Sequence, residues 1–356
     1  MTRSILIMAG GTGGHIFPAL AVADCLRSQG WSVTWLGARN SMEAELVPKK
    51  GYPMAWVRFS GLRGKGLLRQ LLLPFNLLVA FAQSAAALLR HRPDVVLGMG
   101  GYITFPGGMM AALFNRPLVI HEQNSIAGLS NKVLARLATR VMSGFPDVLP
   151  NAEWCGNPVR DSITALPPPP VRYMARSGVL NLLIVGGSLG AKAINECVPQ
   201  ALALLPLATR PQVLHQTGKQ HFDAVQAAYA QATVSGEIKP FLDDMAQHYA
   251  WADIVICRAG ALTIAELAAA GVASILIPFP FAVDDHQTGN ARFLSKNTAA
   301  ILLPQAELTP RYLADLLRDM TREQALKMAQ AARQLAKPEA AQRVAQVCAE
   351  LAEVGA

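Results

Sequence analysis

Charge, aromatic residues and paired cysteines are all in short supply in this chain of 356 residues, and each shortage removes a class of function. Charged residues make up 16% and hydrophobic ones 52%, which excludes disorder as the main state. Aromatics are 6%, no long Lys/Arg run occurs, and no zinc-finger or RNA-binding signature is present, so nucleic acid is not an expected partner. The five cysteines (Cys25, Cys155, Cys197, Cys257 and Cys348) are odd in number and form no Cys-x-x-Cys pair. Neither a disulfide framework nor a structural zinc site is supported; buried thiols in a reducing compartment are expected. The opening run MTRSILIMAGG reaches glycine after a few apolar residues and lacks a small-residue cleavage site. It reads as a strand rather than a signal peptide, and the expected location is cytoplasmic.

What is present is a length suited to two domains and a net charge of +8, which favours an acidic membrane surface or a phosphorylated substrate. Short β-rich runs alternate with helical stretches, the pattern of parallel α/β architecture. Strands are expected at Ser4–Ala9, Ser32–Gly37, Met54–Phe59, Asp94–Gly98, Pro117–His121 and Arg140–Ser143, with helices at Pro18–Gln29 and Asn131–Ala138. Four consecutive prolines, Pro167–Pro170, predict an extended linker. A second series follows, with strands at Leu180–Val185, Gln212–Gln216, Glu237–Phe241, Asp253–Cys257, Ala273–Ile277 and Ala300–Leu303. From Pro310 onward only helices are expected, and the last has no strand after it, so it is free to cross back onto the first domain.

The apolar segment Leu67–Leu89 is about the length that spans a bilayer, but Arg69, Gln70, Pro74, Asn76, Gln83 and Ser84 break it. Two readings stay open: a buried amphipathic helix, or one whose apolar face lies in the membrane interface. Arg63, Lys65 and Arg69 before it and Arg90 and Arg92 after it suit the second, because cations hold anionic headgroups.

Three glycine loops follow expected strands: MAGGTGGHIFP (8–18), VLGMGGY (96–102) and LLIVGGSLGAK (182–192). Glycine permits positive φ and close approach of backbone N–H groups to an anion, and a following helix N-terminus adds partial positive charge. None is a Walker A loop or a full Gly-x-Gly-x-x-Gly fingerprint. Taken together across two domains they predict two phosphorylated ligands. In CRAGALTIAELAAAG (257–271), Glu266 lies three residues beyond Thr263, which fits either a capping box or a carboxylate that accepts the hydroxyls of a ribose. FPFAVDDHQTGNA (279–291) gathers Asp284, Asp285, His286, Gln287 and Asn290 at a helix start. LVIHEQNSIAG (118–128) places His121, Glu122, Gln123 and Asn124 at the C-terminal end of a strand, where open α/β sheets bind ligands.

GGTGGH, LGMGGY, HEQN, GNPVR (156–160), GGSLGA, CRAGALTIAE and DDHQ, in this order and with FSGLRGKG (59–66), resemble the MurG family over nearly the whole chain. These are bacterial transferases that move N-acetylglucosamine from UDP-N-acetylglucosamine to the lipid-linked muramyl-pentapeptide, converting lipid I to lipid II. The resemblance implies the α/β GT-B architecture, two Rossmann-like domains with parallel sheets flanking a deep cleft. An acceptor-binding domain would span 1–158 with a returning helix at 340–356, and a UDP-sugar domain 159–339. It places Thr12, Gly13 and Gly14 near the donor sugar, with Asn124 and Gln287 on its hydroxyls. Arg160 and the backbone of Leu242 would lie near the uracil, and Ser188 at the phosphates. Ala261, Leu262, Thr263, Ile264, Ala265 and Glu266 would line the nucleotide, with Glu266 on the ribose. The acceptor's diphosphate would occupy Gly11, Gly14, Gly98, Gly100, Gly101 and Tyr102.

The implied reaction is an inverting hexosyl transfer, in which the muramyl 4-hydroxyl attacks C1 and UDP leaves. His15 is the first candidate base, since imidazole titrates near working pH, and Glu122 the second. An orienting hydrogen bond is the alternative role for His15. No Asp-x-Asp motif occurs, so no metal and no cofactor are expected. The expected location becomes peripheral, on the cytoplasmic face of the bacterial inner membrane. The 67–89 region would meet the anionic inner-membrane surface there, with other cell-wall synthesis proteins as further partners.

Overall fold

The computed structural model describes residues 2–59, 73–187 and 190–354. Ser188 lies outside the described residues, as do residues 60–72, which carry most of the FSGLRGKG motif and the start of the 67–89 segment. The chain divides into two compact units, Met1–Val159 with Lys337–Ala356, and Arg160–Ala336.

In the first unit seven parallel strands form one sheet: β1 (Ser4–Met8), β2 (Ser32–Ala38), β3 (Met54–Val57), β4 (Val95–Gly98), β5 (Leu118–Glu122), β6 (Arg140–Ser143) and β7 (Glu153–Trp154). Their order is β3-β2-β1-β4-β5-β6-β7. The second unit carries six: β8 (Asn181–Val185), β9 (Gln212–Gln216), β10 (Glu237–Lys239), β11 (Ile254–Cys257), β12 (Ala273–Leu276) and β13 (Ala300–Leu302). They lie in the order β10-β9-β8-β11-β12-β13, again all parallel. In both sheets the winding direction reverses beside the first strand, between β1 and β4 and between β8 and β11. In doubly wound sheets ligands bind at the C-terminal ends of the strands at that reversal. All three glycine loops leave strands at these two points.

Apolar runs bury strands on both faces: every residue of β4, β11 and β12 is buried. Four of the five cysteines are buried and Cys25 is half-buried, and burial pushes Cys155, Cys257 and Cys348 up to about 12. Two expectations fail. Pro169 and Pro170 open a short helix, Pro169–Tyr173, because a fixed φ suits the first helical positions, where the N–H has no partner to lose. The helix after β1 begins at Gly13, not Pro18: Thr12 is its extended N-cap, and Pro18 sits inside it. The two-residue strand β7 was too short to read from sequence.

The last helix, Ala340–Val354, buries Val344, Ala345, Val347, Cys348 and Ala352 in the first unit's core beside Ile16, Ala19 and Ala23. Its rim is tied by Arg343 to Glu153 at 2.6 and 2.9 Å and by Arg3 to Glu353 at 2.8 Å. Such exposed pairs contribute under about 1 kcal/mol each; the apolar seam fixes the helix.

The helix Leu73–His91 is, by length and composition, long and apolar enough to cross a membrane. Its buried face is mostly small, and several of its large apolar residues point outward. Ala80, Ser84, Ala87 and Leu88 are buried, whereas Phe75 and Leu78 are each 66% exposed and Leu89 is 61% exposed. Leu113 continues the exposed apolar surface on the neighbouring helix, Thr104–Leu113.

Candidate active site

In the first unit the loops after β1 and β4 meet backbone to backbone. Gly101 has φ +86°, and a Cβ there would lie 2.2 Å from the Gly10 carbonyl oxygen, so only glycine allows the approach. The Gly10 N–H donates to the Gly100 carbonyl at 3.4 Å. Beneath them lies a side chain the sequence reading missed. Glu43, fully buried, accepts from the Gly11 N–H at 3.1 Å and from the Ala38 N–H at 3.2 Å. The Gly11 amide is thus engaged by a carboxylate. Gly98 belongs to the β4 ladder, where a Cβ would stand 2.6 Å from Thr104 Cγ2. The first-turn amides of the helix Gly13–Ser28, at Gly13 and Gly14 beside exposed Thr12, are groups able to meet an anion. Tyr102 is half-buried next to Phe59, and burial with the nearby Glu43 pushes its hydroxyl up to about 12, so it remains a donor.

The end of β5 sorts its polar residues by strand alternation. His121 and Gln123 face one way: Gln123 Nε2 lies 3.1 Å from His121 Nδ1, and Gln123 Oε1 lies 2.9 Å from Nδ1 of His15. Glu122 faces the other. Its oxygens accept from the Asn124 N–H at 3.0 Å, the Gly128 N–H at 3.1 Å and Asn131 Nδ2 at 2.8 Å. With three good donors on a buried carboxylate, Glu122 holds the 122–131 loop in shape and is poorly placed to take a proton. His15 is half-buried in the first turn of its helix.

In the second unit Gly186 donates its N–H to the Gln216 carbonyl at 2.9 Å. Gly187 and Gly190 both have positive φ, and open space surrounds Gly187. After β11 the helix Ala261–Ala270 starts from an N-cap at Gly260 with no side-chain cap bond. Thr263 is therefore not a cap, and the capping-box reading of Glu266 is excluded. Buried Glu266 instead takes Arg160 Nη2 on one oxygen at 2.9 Å and the Tyr249 hydroxyl on the other at 3.1 Å. Burial raises its pKa, and Arg160 and Tyr249 oppose the rise. Arg160 and Glu266, expected on uracil and ribose separately, are thus brought together. Leu242 is buried beside exposed Phe241.

Gln287 uses its Oε1 to accept from the Ala259 and Phe279 N–H groups at 3.2 and 3.0 Å, which leaves its NH₂ end as the donor for a ligand. Asn290 secures the same turn through the Ala259 carbonyl at 3.0 Å. Arg172, which the linker reading hid, donates to the carbonyls of Tyr249, Ala270 and Gly271 and so clamps the far end of the Glu266 helix. Among the described residues no group of three His, Cys, Asp or Glu side chains is placed to hold a metal.

Two doubly wound units in tandem, matched by glycosyltransferase domain families along most of their length, make this chain a glycosyltransferase of the GT-B type. More narrowly, it belongs to glycosyltransferase family 28: the N-terminal domain of that family matches residues 5–143 and the C-terminal domain residues 181–344. It is 61% identical over 353 residues to a Dechloromonas aromatica protein, covering 99% of this chain and all of that one. It is 62% identical to a Cupriavidus metallidurans protein, covering 98% of each. Both relatives are named UDP-N-acetylglucosamine–N-acetylmuramyl-(pentapeptide) pyrophosphoryl-undecaprenol N-acetylglucosamine transferase. The crystal structure of Acinetobacter baumannii MurG is similar at 42% identity with a TM-score of 0.87, covering 98% of this chain and 99% of that one.

Proposed function

We propose that the chain transfers N-acetylglucosamine from UDP-N-acetylglucosamine to the muramyl 4-hydroxyl of undecaprenyl-linked lipid I, forming lipid II. The observation that carries this is full-length identity of 61% and 62% with transferases of that name. The acceptor hydroxyl attacks C1, the bond from C1 to the phosphate oxygen breaks, and UDP departs with the electron pair while the anomeric centre inverts. His15 takes the hydroxyl proton. Glu122 shapes the loop that carries Asn124 to the sugar.

The second unit receives the nucleotide. Glu266 retains lone-pair positions for the ribose hydroxyls after serving Arg160 and Tyr249, and Gln287 offers its NH₂ to the sugar. Charge on the leaving diphosphate is met by the loop at Gly187–Gly190 and the N-terminus of the helix Ala261–Ala270. The acceptor diphosphate meets the amides of Gly13 and Gly14. No divalent cation enters this scheme.

The deciding assay is transfer of labelled N-acetylglucosamine from its UDP donor to a lipid I analogue, with and without chelator. Transfer that survives chelation is expected; strict dependence on a divalent cation would overturn the metal-free scheme. Incubation with donor alone tests for an epimerase on the same architecture, because C2 epimerisation without acceptor would sink the transferase assignment.

The outward apolar stripe Phe75, Leu78 and Leu89, with exposed Leu113 and the cations Arg90 and Arg92 at the helix end, supports docking on the anionic cytoplasmic face of the inner membrane. The double change Phe75→Glu with Leu78→Glu should abolish binding to anionic vesicles and spare turnover of a soluble acceptor. Loss of both would make the stripe a packing surface.

A further inference from the structure

The polar cluster at the end of β5 contains more than the candidate base. Starting from the inside, His121 is fully buried and its Nε2 lies 2.8 Å from the Gly156 carbonyl oxygen. A carbonyl only accepts, so Nε2 carries hydrogen. The desolvating surroundings lower the pKa of His121 to about 4, so near neutral pH the ring holds a single proton and Nδ1 is a bare acceptor. The partner 3.1 Å from Nδ1 must therefore donate, which makes it the NH₂ end of Gln123. The same NH₂ donates to the His121 carbonyl at 3.1 Å, so two acceptors agree on the direction of the amide. Its Oε1 then points at His15 Nδ1 from 2.9 Å, and that nitrogen must donate.

Reversing the amide would set two acceptors against each other at Gly156 or require a second proton on a buried ring. We propose that the Gly156 carbonyl, His121 and Gln123 form a one-way hydrogen-bond chain that fixes His15 as the Nδ1–H tautomer. Its Nε2 lone pair is thereby held ready for the acceptor hydroxyl. His121 and Gln123 are positioning residues and need not touch substrate. The chain rests on the reading of His15 as the base.

Gly100 is the spatial condition for this chain. A Cβ at residue 100 would lie 2.6 Å from His15 Nδ1 and 3.0 Å from Gln123 Oε1, inside the hydrogen bond itself. The glycine that sequence inspection assigns to phosphate makes room for an imidazole.

The test is long-range proton–nitrogen correlation on the full-length protein labelled with nitrogen-15 histidine, with His15 assigned by its loss in His15→Gln. The expected wild-type ring has a pyrrole-type Nδ1 and a pyridine-type Nε2 at neutral pH; a proton on Nε2 overturns the chain and requires no variant to fold. In Gln123→Met the proton should redistribute toward Nε2, with kcat falling on the order of tenfold and the donor KM within about twofold. An unchanged tautomer and kcat would reject the positioning role. Gln123→Glu keeps an acceptor facing His15 but gives up the N–H that serves His121, so the His15 proton should stay on Nδ1 while the His121 proton moves to its own Nδ1, a pair of outcomes that a space-filling role does not predict. Failure of the underlying reading is distinguishable: His15→Ala at wild-type turnover removes the base assignment, whatever the tautomer spectrum shows.

Discussion

The second unit repeats the order of the first unit's first six strands, with the same reversal point, yet the two furnish that point with opposite chemistry. The first places a neutral hydrogen-bond chain, Gly156 carbonyl–His121–Gln123–His15, beside loops closed over a buried Glu43. The second places a charged pair, Arg160 and Glu266, steadied by Tyr249. A neutral chain suits direction of a single proton, because each link fixes the next without a charge to be desolvated. A paired carboxylate and guanidinium suit recognition of hydroxyls and a charged nucleotide, where strong directional bonds matter. Topology decides where a site lies; the residues on the strand ends decide what it does.

That division of labour can be broken in several places. His15→Ala should have the largest effect, lowering kcat by about 10²- to 10⁴-fold while UDP affinity stays near wild type; steady-state kinetics with a UDP-binding titration checks both. Next comes Gly101→Ala. Its methyl group would collide with a backbone carbonyl at 2.2 Å in a left-handed conformation, so we expect a loss of at least about 3 kcal/mol in denaturant unfolding of the first unit. Glu266→Ala should weaken UDP binding about 10- to 100-fold and leave kcat at saturating donor within about threefold; unchanged affinity in calorimetry would remove its ribose role.

A fourth prediction concerns acid. Burial lowers His121 to about 4 and His215 to about 3, both below the unfolded value near 6.5. Their stabilising contribution is present above pH 6.5 and is lost as pH falls toward those values, because the unfolded chain binds protons that the folded one refuses. Each should add a slope of about 1.4 kcal/mol per pH unit in that window. Urea midpoints at pH 7 and pH 5 measure the sum, and His121→Asn should halve it. The smallest effect belongs to Gly187→Ala, which meets no atom within 4 Å and should cost only the left-handed strain of about 1 kcal/mol in the second unit.

Much of this was legible in the chain. Runs such as VVLG and IVIC announce buried parallel strands, and glycine after them marks the two reversal points. What sequence could not supply is which partner each polar group chooses. Glu43 reads as an ordinary first-turn acid of the helix Met42–Lys49, and only the fold tucks it under Gly11. His121 and Glu122 are adjacent in sequence, but strand alternation sends one into the proton chain and the other into a loop staple. Arg172 follows a proline run that reads as a linker, yet proline also suits a helix start, and the helix Pro169–Tyr173 carries Arg172 to its carbonyl partners. For Glu266 the sequence leaves the helix start open, and only the start at Ala261 excludes the capping box.

The helix Ala340–Val354 sets a timetable for synthesis. The first unit emerges from the ribosome with the seam around Ile16, Ala19 and Ala23 uncovered, and Val344, Ala345 and Cys348 arrive only at the end of the chain. The second unit, continuous from Arg160 to Ala336, is complete before the first can close. At about 5–20 residues per second the delay is on the order of 10–40 s, during which an apolar seam waits beside a growing polypeptide. The unit that holds the first strand is therefore the later of the two to have its whole core synthesised.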